Sequence, residues 1–193
     1  MVRTSIALVA ALAASGCATL SQFTALQRVD FSLEGASQVR LAGVDLSRVQ
    51  SFGDLSFSEA ASLATAVSNR ELPLTLQLDV LAENPADNVA DARLVQLDWT
   101  FFIEGRETVG GRVDDETMLR RGQPTPIPVA VSLNLVEFFE GSARDLFELA
   151  QSLAGVGGTP KELAVEALPV VQTAIGPISY PSPVRIATTV GDD

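Results

Sequence analysis

Residues 74–103 read LTLQLDVLAENPADNVADARLVQLDWTFFI, and this stretch decides the fold class. Apolar and polar residues alternate on both sides of Asn84-Pro85. One face of the first half carries Leu74, Leu76, Leu78 and Val80, and one face of the second half carries Val95, Leu97, Trp99, Phe101 and Ile103. A period of two is typical of antiparallel strands with one face buried. The stretch therefore predicts two strands separated by a turn at Asn84-Pro85.

The same alternation recurs further along the chain. It is clear over residues 127–135 and weaker over residues 29–33, 39–41, 108–113 and 184–186, with Gly and Pro turn signals between these runs. Several short strands with such turns are typical of a sandwich or barrel. We therefore expect a mainly β protein built as an antiparallel β-sandwich.

Two segments have helical spacing instead. Ser56 and Glu59 form a capping-box pattern, and the apolar stripe that follows over residues 57–68 comprises Phe57, Ala60, Ala61, Ala64 and Val67. Ser142 begins a second such segment over residues 143–154, with a stripe of Leu146, Leu149, Ala150 and Leu153. The sequence therefore predicts two short helical insertions in the sandwich.

The segment that follows Gly158 is ambiguous. Thr159-Pro160 resembles a helix start, and residues 163–173 could form either a helix or a strand. Pro169 would cost a helix interior about 3 kcal/mol. We expect a single helical turn followed by an edge strand, where proline is tolerated.

The N-terminus predicts export and lipidation. Residues 1–16 contain a basic Arg3, an apolar run and the small residues Ala14-Ser15-Gly16, as in a secretory signal peptide. The next residue is Cys17, the only cysteine. Ala14-Ser15-Gly16-Cys17 resembles the bacterial lipobox, which implies acylation of Cys17. An ordinary signal peptide followed by a chance cysteine is the alternative.

Cleavage before Cys17 would remove Arg3 and shift the formal net charge from −11 to −12. Ala18 lacks the aspartate that marks inner-membrane retention in lipoproteins of this type, so the resemblance implies an outer-membrane location in the cell envelope, facing the periplasm. The expected organisation is an anchor and linker over residues 17–27, one domain over residues 28–190 and an acidic tail over residues 191–193.

Composition excludes several classes of function. The chain has no histidine, which excludes triads and metal sites that depend on it. Its 24 acidic residues outnumber 13 basic ones, the opposite of a nucleic-acid-binding surface. We therefore expect no catalytic residues, no cofactor, no metal and no nucleic-acid partner.

Residues 74–113 resemble the water-stress and hypersensitive-response domain, also called late embryogenesis abundant group 2. The resemblance rests on Asn84-Pro85, the alternating run over residues 94–103 and Gly105, and it continues in IPVAVSLNL over residues 127–135 and VVQTAIGPISYPSPVRI over residues 170–186. It spans residues 30–190. It implies a sandwich similar to fibronectin type III and a role in stress or desiccation protection. The two helical insertions resemble bacterial lipoprotein members of the family.

Other groups of residues carry weaker hypotheses of binding. Glu83, Asp87, Asn88 and Asp91 could bind calcium, and Asp114-Asp115-Glu116 another cation, although both are more typical of solvated loops. Arg120-Arg121 could contact an anionic headgroup or balance local charge. Trp99 and Phe101 are expected in the core. Phe102 and Leu94 would leave the outer face of their strand partly apolar and covered by the helices.

These observations leave two functions open. The first is a lipid-anchored envelope protein that protects its neighbours without catalysis. The alternative is a module that binds a protein, peptide or lipid at a sheet edge or beside the helix over residues 57–68, in assembly or lipid transport.

Overall fold

The computed structural model describes residues 28–173 and 176–191, so the predicted signal peptide, Cys17, the linker and the last two acidic residues lie outside the described part. The strands are β1 (Asp30–Leu41), β2 (Val44–Asp45), β3 (Pro73–Asn84), β4 (Ala92–Ile103), β5 (Arg106–Val113), β6 (Thr117–Leu119), β7 (Gln123–Asn134), β8 (Lys161–Thr173), β9 (Gly176–Ser179) and β10 (Val184–Val190). The helices are α1 (Phe57–Ser68), α2 (Leu135–Phe138) and α3 (Ala143–Leu153), with 3₁₀ turns at Leu46–Arg48 and Phe52–Asp54.

The strands form two antiparallel sheets that face each other. The first has the order β2-β1-β3-β7 and the second the order β10-β8-β4-β5, with β6 added to β4 and β9 added to β8. β1 lies against β10 on one side, and β7 approaches β5 on the other. The predicted antiparallel sandwich with short helical insertions is confirmed.

The buried core is formed by the alternating faces that the sequence predicts. Leu74, Leu78 and Phe101 are completely buried, and the alternate residues of β7 from Ile127 to Leu133 are buried as well. Val95 is an exception and is only half-buried. The pairing of β4 with β8 shifts between Leu94 and Gln96, and this bulge turns Leu94 into the core.

The strand expected over residues 163–173 is confirmed, but the helical turn before it and its position at a sheet edge are wrong. Residues 161–173 form one continuous strand, which lies between β4 and the pair β9 and β10. Pro169 is tolerated there because β10 pairs only as far as Ala167 and β9 begins at Val170. The Pro169 carbonyl accepts from the Tyr180 amide at 2.9 Å. In an antiparallel strand the backbone nitrogen and oxygen of one residue point to the same side. The Pro169 nitrogen therefore points away from β4, as its oxygen does, and the absence of an N–H there removes no hydrogen bond between β8 and β4.

All three helices lie at one end of the sandwich, because they belong to the connections from β2 to β3 and from β7 to β8. We call these connections, residues 46–72 and 135–160, the helical cap. At the opposite end, which we call the N-terminal end, Arg28 leads into β1 beside the loop over residues 85–91, β6 and residues 120–122. None of the helices in the described part of the chain is long and apolar enough to cross a bilayer.

Both predicted helices are present with their capping boxes. The predicted buried stripe of α1 is wrong, because Phe57, Ala61 and Ala64 are exposed and the fully buried residue is Leu63. In α3 the predicted stripe is buried apart from the half-buried Leu149. The short α2 was not predicted.

Candidate functional site

A cavity of about 940 Å³ opens in the helical cap. It lies between the 3₁₀ turn at Phe52–Asp54, α3 and the first residues of β8. Its charged and apolar lining side chains are Phe52, Glu104, Phe139, Arg144, Asp145, Glu148, Leu149 and Lys161. Sites for small ligands typically measure about 300–1,000 Å³, so this cavity is large enough to hold one.

The first turn of α3 positions Arg144 on the cavity wall. Ser142 caps the helix, because its hydroxyl accepts from the Asp145 amide at 3.3 Å while its own amide donates to the Asp145 carboxylate at 2.8 Å. These hydrogen bonds from Ser142 lower the pKa of Asp145. The helix thereby presents Arg144 to Phe52, whose ring centroid lies 4.9 Å from the guanidinium carbon. The ring of the buried Phe147 packs edge-on against Phe52, with 5.5 Å between the two ring centroids.

On the opposite wall of the cavity, a carboxylate balances the positive charge of Lys161. Lys161 Nζ lies 3.6 Å from Glu104 Oε2, and Glu104 Oε1 accepts from the Glu162 amide at 2.7 Å. Among the described residues no carboxylate forms an ion pair with Arg144. The carboxylates of Asp145 and Glu148 line the cavity on the same helix as Arg144. Arg144 is therefore a cation without an ion pair among the described residues but with acidic neighbours, and the two phenylalanines supply apolar surface.

Two hydroxyl groups that line the cavity take part in structural hydrogen bonds. Ser51 donates to Asp54 at 3.0 Å, and Ser152 donates to the Glu148 carbonyl at 3.1 Å. The Asp54 carboxylate also accepts from the Ser51 amide at 2.8 Å, so this pair caps its 3₁₀ turn. The cavity as a whole offers an apolar surface beside charged side chains.

The residues considered for calcium do not converge on one point. Asp87 Oδ2 accepts from Arg28 at 2.7 Å, and Asp91 Oδ1 lies 3.4 Å from the Arg121 guanidinium. Across residues 28–173 and 176–191, no group of three or more acidic side chains comes together as a metal site would require. Each of the two carboxylates instead fixes a different segment of the N-terminal end.

The turn predicted at Asn84-Pro85 is present, since β3 ends at Asn84 and the Asn88 amide donates to the Pro85 carbonyl at 3.0 Å. The Asn84 side chain is completely buried and donates to the carbonyls of Ala90 at 3.1 Å and Leu119 at 2.9 Å. Its Oδ1 accepts from Asn88 Nδ2 at 2.6 Å. The Asn84 side chain therefore also ties both ends of this loop to β6.

The other charged candidates are dispersed. Glu116 pairs with Arg93 at 3.0 Å, and Asp114 Oδ1 lies 3.9 Å from Arg112. Arg121 balances Asp91, as its local-charge interpretation predicts. Arg120 is exposed, and within the described part of the chain no carboxylate pairs with it.

The aromatic residues of β4 belong to the sheets. Trp99 is 8% exposed and its ring lies over Gly111 on β5, where an added Cβ would stand 2.6 Å from Trp99 Cζ2. Phe102 faces outward, and Arg185 of β10 stacks on it at 4.6 Å from the ring centroid. The expectation that the helices cover Phe102 is therefore wrong.

The outer edge of β7 is poorly suited to strand addition. The Leu135 amide donates to Leu72, so by alternation the even-numbered amides of β7 point away from β3. Three of those positions are Pro124, Pro126 and Pro128, which have no N–H to offer. A partner strand would find no donor at these positions, which weakens the expectation of binding at this edge.

The sequence does not indicate this cavity, since the binding surface expected from it lay at a sheet edge or beside the helix over residues 57–68. Phe52 and Phe139 are the residues that could have indicated it, because each is a large apolar residue outside the alternating runs and close to a capping box. Nothing in the sequence shows that the two connections meet.

Neither a known protein family nor a curated protein matches the sequence. Among solved structures, a protein from Archaeoglobus fulgidus is 10% identical over 84% of this chain and 98% of its own, with a TM-score of 0.36. An Arabidopsis thaliana protein is 15% identical over 61% of this chain and 70% of its own, with a TM-score of 0.43. A predicted late embryogenesis abundant protein is 11% identical over 98% of this chain and 87% of its own, with a TM-score of 0.42.

Proposed function

We propose that this protein is a lipid-anchored protein of the cell envelope that protects its neighbours under stress or desiccation without catalysis. The proposal rests on the surface of the β-sandwich, which is acidic and exposes few large apolar side chains to which another protein could bind. Such a surface keeps its own hydration and separates neighbouring proteins instead of joining them.

Two features of the described surface support this role. Phe57, Val89 and Met118 are the large apolar residues that stand exposed among the described residues. The outer sheet face carries cross-strand pairs such as Asp98 with Arg112 at 2.6 Å and Glu166 with Arg185 at 3.0 Å. The hydrogen bond from Arg112 lowers the pKa of Asp98, so this carboxylate stays ionised in mild acid.

The anchor is supported by the sequence. The lone cysteine follows an apolar run and three small residues, and only ten residues separate it from Arg28, the first described residue. Two or three acyl chains on Cys17 would hold the domain stably at a membrane, since one chain alone binds only marginally.

A drying assay tests the protective role. A freeze- and drying-sensitive enzyme is dried with vesicles that carry the lipidated protein, and its recovered activity is compared with that in an equal mass of albumin. We expect protection that rises with protein concentration and is lost when the sandwich is unfolded. The triple variant Asp114→Asn, Asp115→Asn, Glu116→Gln should protect almost as well, because no single site is involved. Protection no better than albumin contradicts the proposal.

A second function, binding of an amphipathic anion, is favoured by the cavity in the helical cap. Arg144 and the two phenylalanines would hold such a molecule, which could be a lipid, a peptide or a side chain of a partner protein. Anilinonaphthalene sulfonate, which combines an aromatic body with an anion, is a suitable probe. Arg144→Gln should weaken its binding, whereas Arg120→Gln, which removes an exposed arginine at the other end, should not. Equal binding by both variants contradicts the role of the cavity.

A further inference from the structure

We propose that the N-terminal end of the sandwich rests on the bilayer, with Val89 and Met118 at the level of the lipid headgroups, and that the helical cap points away from it. This inference rests on the lipid anchor proposed above. It adds an orientation and a contact surface, which an anchor alone does not require.

The path of the chain places the anchor beside this end. Arg28, the first described residue, donates to the backbone oxygen of Asp87 at 3.2 Å and to its carboxylate at 2.7 Å. β1 then begins at Asp30, opposite Glu83 near the end of β3. The polypeptide therefore joins the sandwich next to the loop over residues 85–91, at the end opposite the helical cap.

The length of the tether limits what can touch the bilayer. The eleven residue steps from Cys17 to Arg28 span at most about 40 Å when fully extended. The 12 residues of β3 are about as long, at roughly 3.4 Å per residue. The helical cap could therefore reach the bilayer only if the whole tether lay stretched along the sandwich. The N-terminal end can reach it without such extension.

Exposed apolar side chains are concentrated at this same end. Val89 is 60% exposed and Met118 is 42% exposed, and they are two of the three large exposed apolar residues in the described part. The backbone segments that carry them meet at Asn84, whose Nδ2 bonds the carbonyls of their neighbours Ala90 and Leu119. The third, Phe57, begins α1 in the helical cap. Burying exposed apolar surface in the interfacial region of a bilayer is favourable.

Ion pairs offset only part of the negative charge at this end. Arg28 pairs with Asp87, Arg93 with Glu116 and Arg121 with Asp91, while Arg120 adds a positive charge without a carboxylate partner in the described part. Further carboxylates lie outside these pairs, namely Asp30 and Glu83 on β1 and β3 and Asp114 and Asp115 between β5 and β6. This end therefore remains acidic, so its contact with a bilayer rests on the anchor and on the apolar side chains and not on charge.

Depth-dependent quenching tests this contact on the full, lipidated protein. Acylation consumes Cys17, the only cysteine, so a cysteine introduced by Met118→Cys or by Phe57→Cys is the single free thiol for a bimane label. Both original side chains are exposed and apolar, which makes the two variants a matched pair. The vesicles contain phosphatidylethanolamine, phosphatidylglycerol and a lipid that carries a spin label high on its acyl chain.

We expect several-fold stronger quenching at Met118→Cys than at Phe57→Cys. Adding Val89→Asp should lower the quenching at Met118→Cys, whereas adding Ala61→Asp, on the exposed face of α1, should leave it unchanged. Equal quenching of both labels on protein whose lipid is verified by mass spectrometry overturns this inference alone. Unacylated Cys17 in membrane-extracted protein overturns the anchor itself, and with it the basis for this orientation.

Discussion

The sandwich body and the helical cap are built on different principles. In the body, long strands bury every second residue against the facing sheet, and many of those side chains are completely buried. In the cap, α3 buries its apolar stripe but α1 fully buries only Leu63. Capping boxes fix the helix starts there, and polar bonds such as that from Gln151 to the Val49 carbonyl at 2.9 Å join the two connections. The body therefore supplies most of the stability, while the less tightly filled cap leaves room for a cavity.

The largest effect is expected from Trp99→Ala in the body. Removing a buried tryptophan typically costs about 3–5 kcal/mol, a large share of the roughly 5–15 kcal/mol by which domains are stable. Chemical denaturation should show a much lower midpoint. The exposed control Met118→Ala should denature almost as the unchanged protein does. A loss below about 1 kcal/mol for Trp99→Ala would contradict the placement of this side chain between the sheets.

A smaller effect is expected from Leu63→Ala in the cap. Leucine-to-alanine changes in cores cost about 2–5 kcal/mol, and we expect the low end of that range because the half-exposed neighbours of Leu63 can close around the gap. Hydrogen exchange should speed up in α1 while the amides of β3 stay protected. Equal acceleration in both elements would show that the cap and the body unfold as one unit.

A local effect is expected from Ser142→Ala, which removes the cap of α3. Loss of an N-cap side chain costs about 0.5–2 kcal/mol, and the pKa of Asp145 should rise part of the way toward its ordinary value, because the hydroxyl bond is lost while the amide of residue 142 still donates. Carboxylate titration by NMR measures this pKa. If the capped first turn of α3 positions Arg144, binding of the anionic probe should also weaken. Unchanged binding would show that the Ser142 side chain does not contribute to binding in the cavity.

The smallest effect concerns Tyr180, the only tyrosine. Burial raises the pKa of its phenol to about 12, and the nearby Asp30 carboxylate adds to this. The neutral phenol is favoured in the folded state, so its contribution to stability is complete below pH 10 and is lost as the pH rises towards 12. Absorbance titration should show no tyrosinate below the pH at which the protein unfolds. Ionisation of the folded protein near pH 10 would contradict the burial.

The sequence predicted the body well because period-two alternation is a direct consequence of a sheet with one buried face. It failed at Val95, where a bulge reverses the faces, and at Pro169, whose tolerance depends on the gap between β9 and β10. Both depend on pairing between distant strands, which local pattern does not encode. In the cap, the capping boxes at Ser56 and Ser142 fixed the helix starts, since those bonds are local. The burial of Leu63 and the cavity beside Arg144 arise from contacts between two separate connections.

The proposed location and orientation both depend on the lipid at Cys17, and mass spectrometry of the membrane-extracted protein detects that lipid. We predict an N-terminal peptide that begins at Cys17 and carries a diacylglyceryl group, and we predict that Cys17→Ser releases the protein from the membrane fraction. A mature N-terminus elsewhere, or a free thiol at Cys17 in protein that still sediments with membranes, would contradict the proposed anchor.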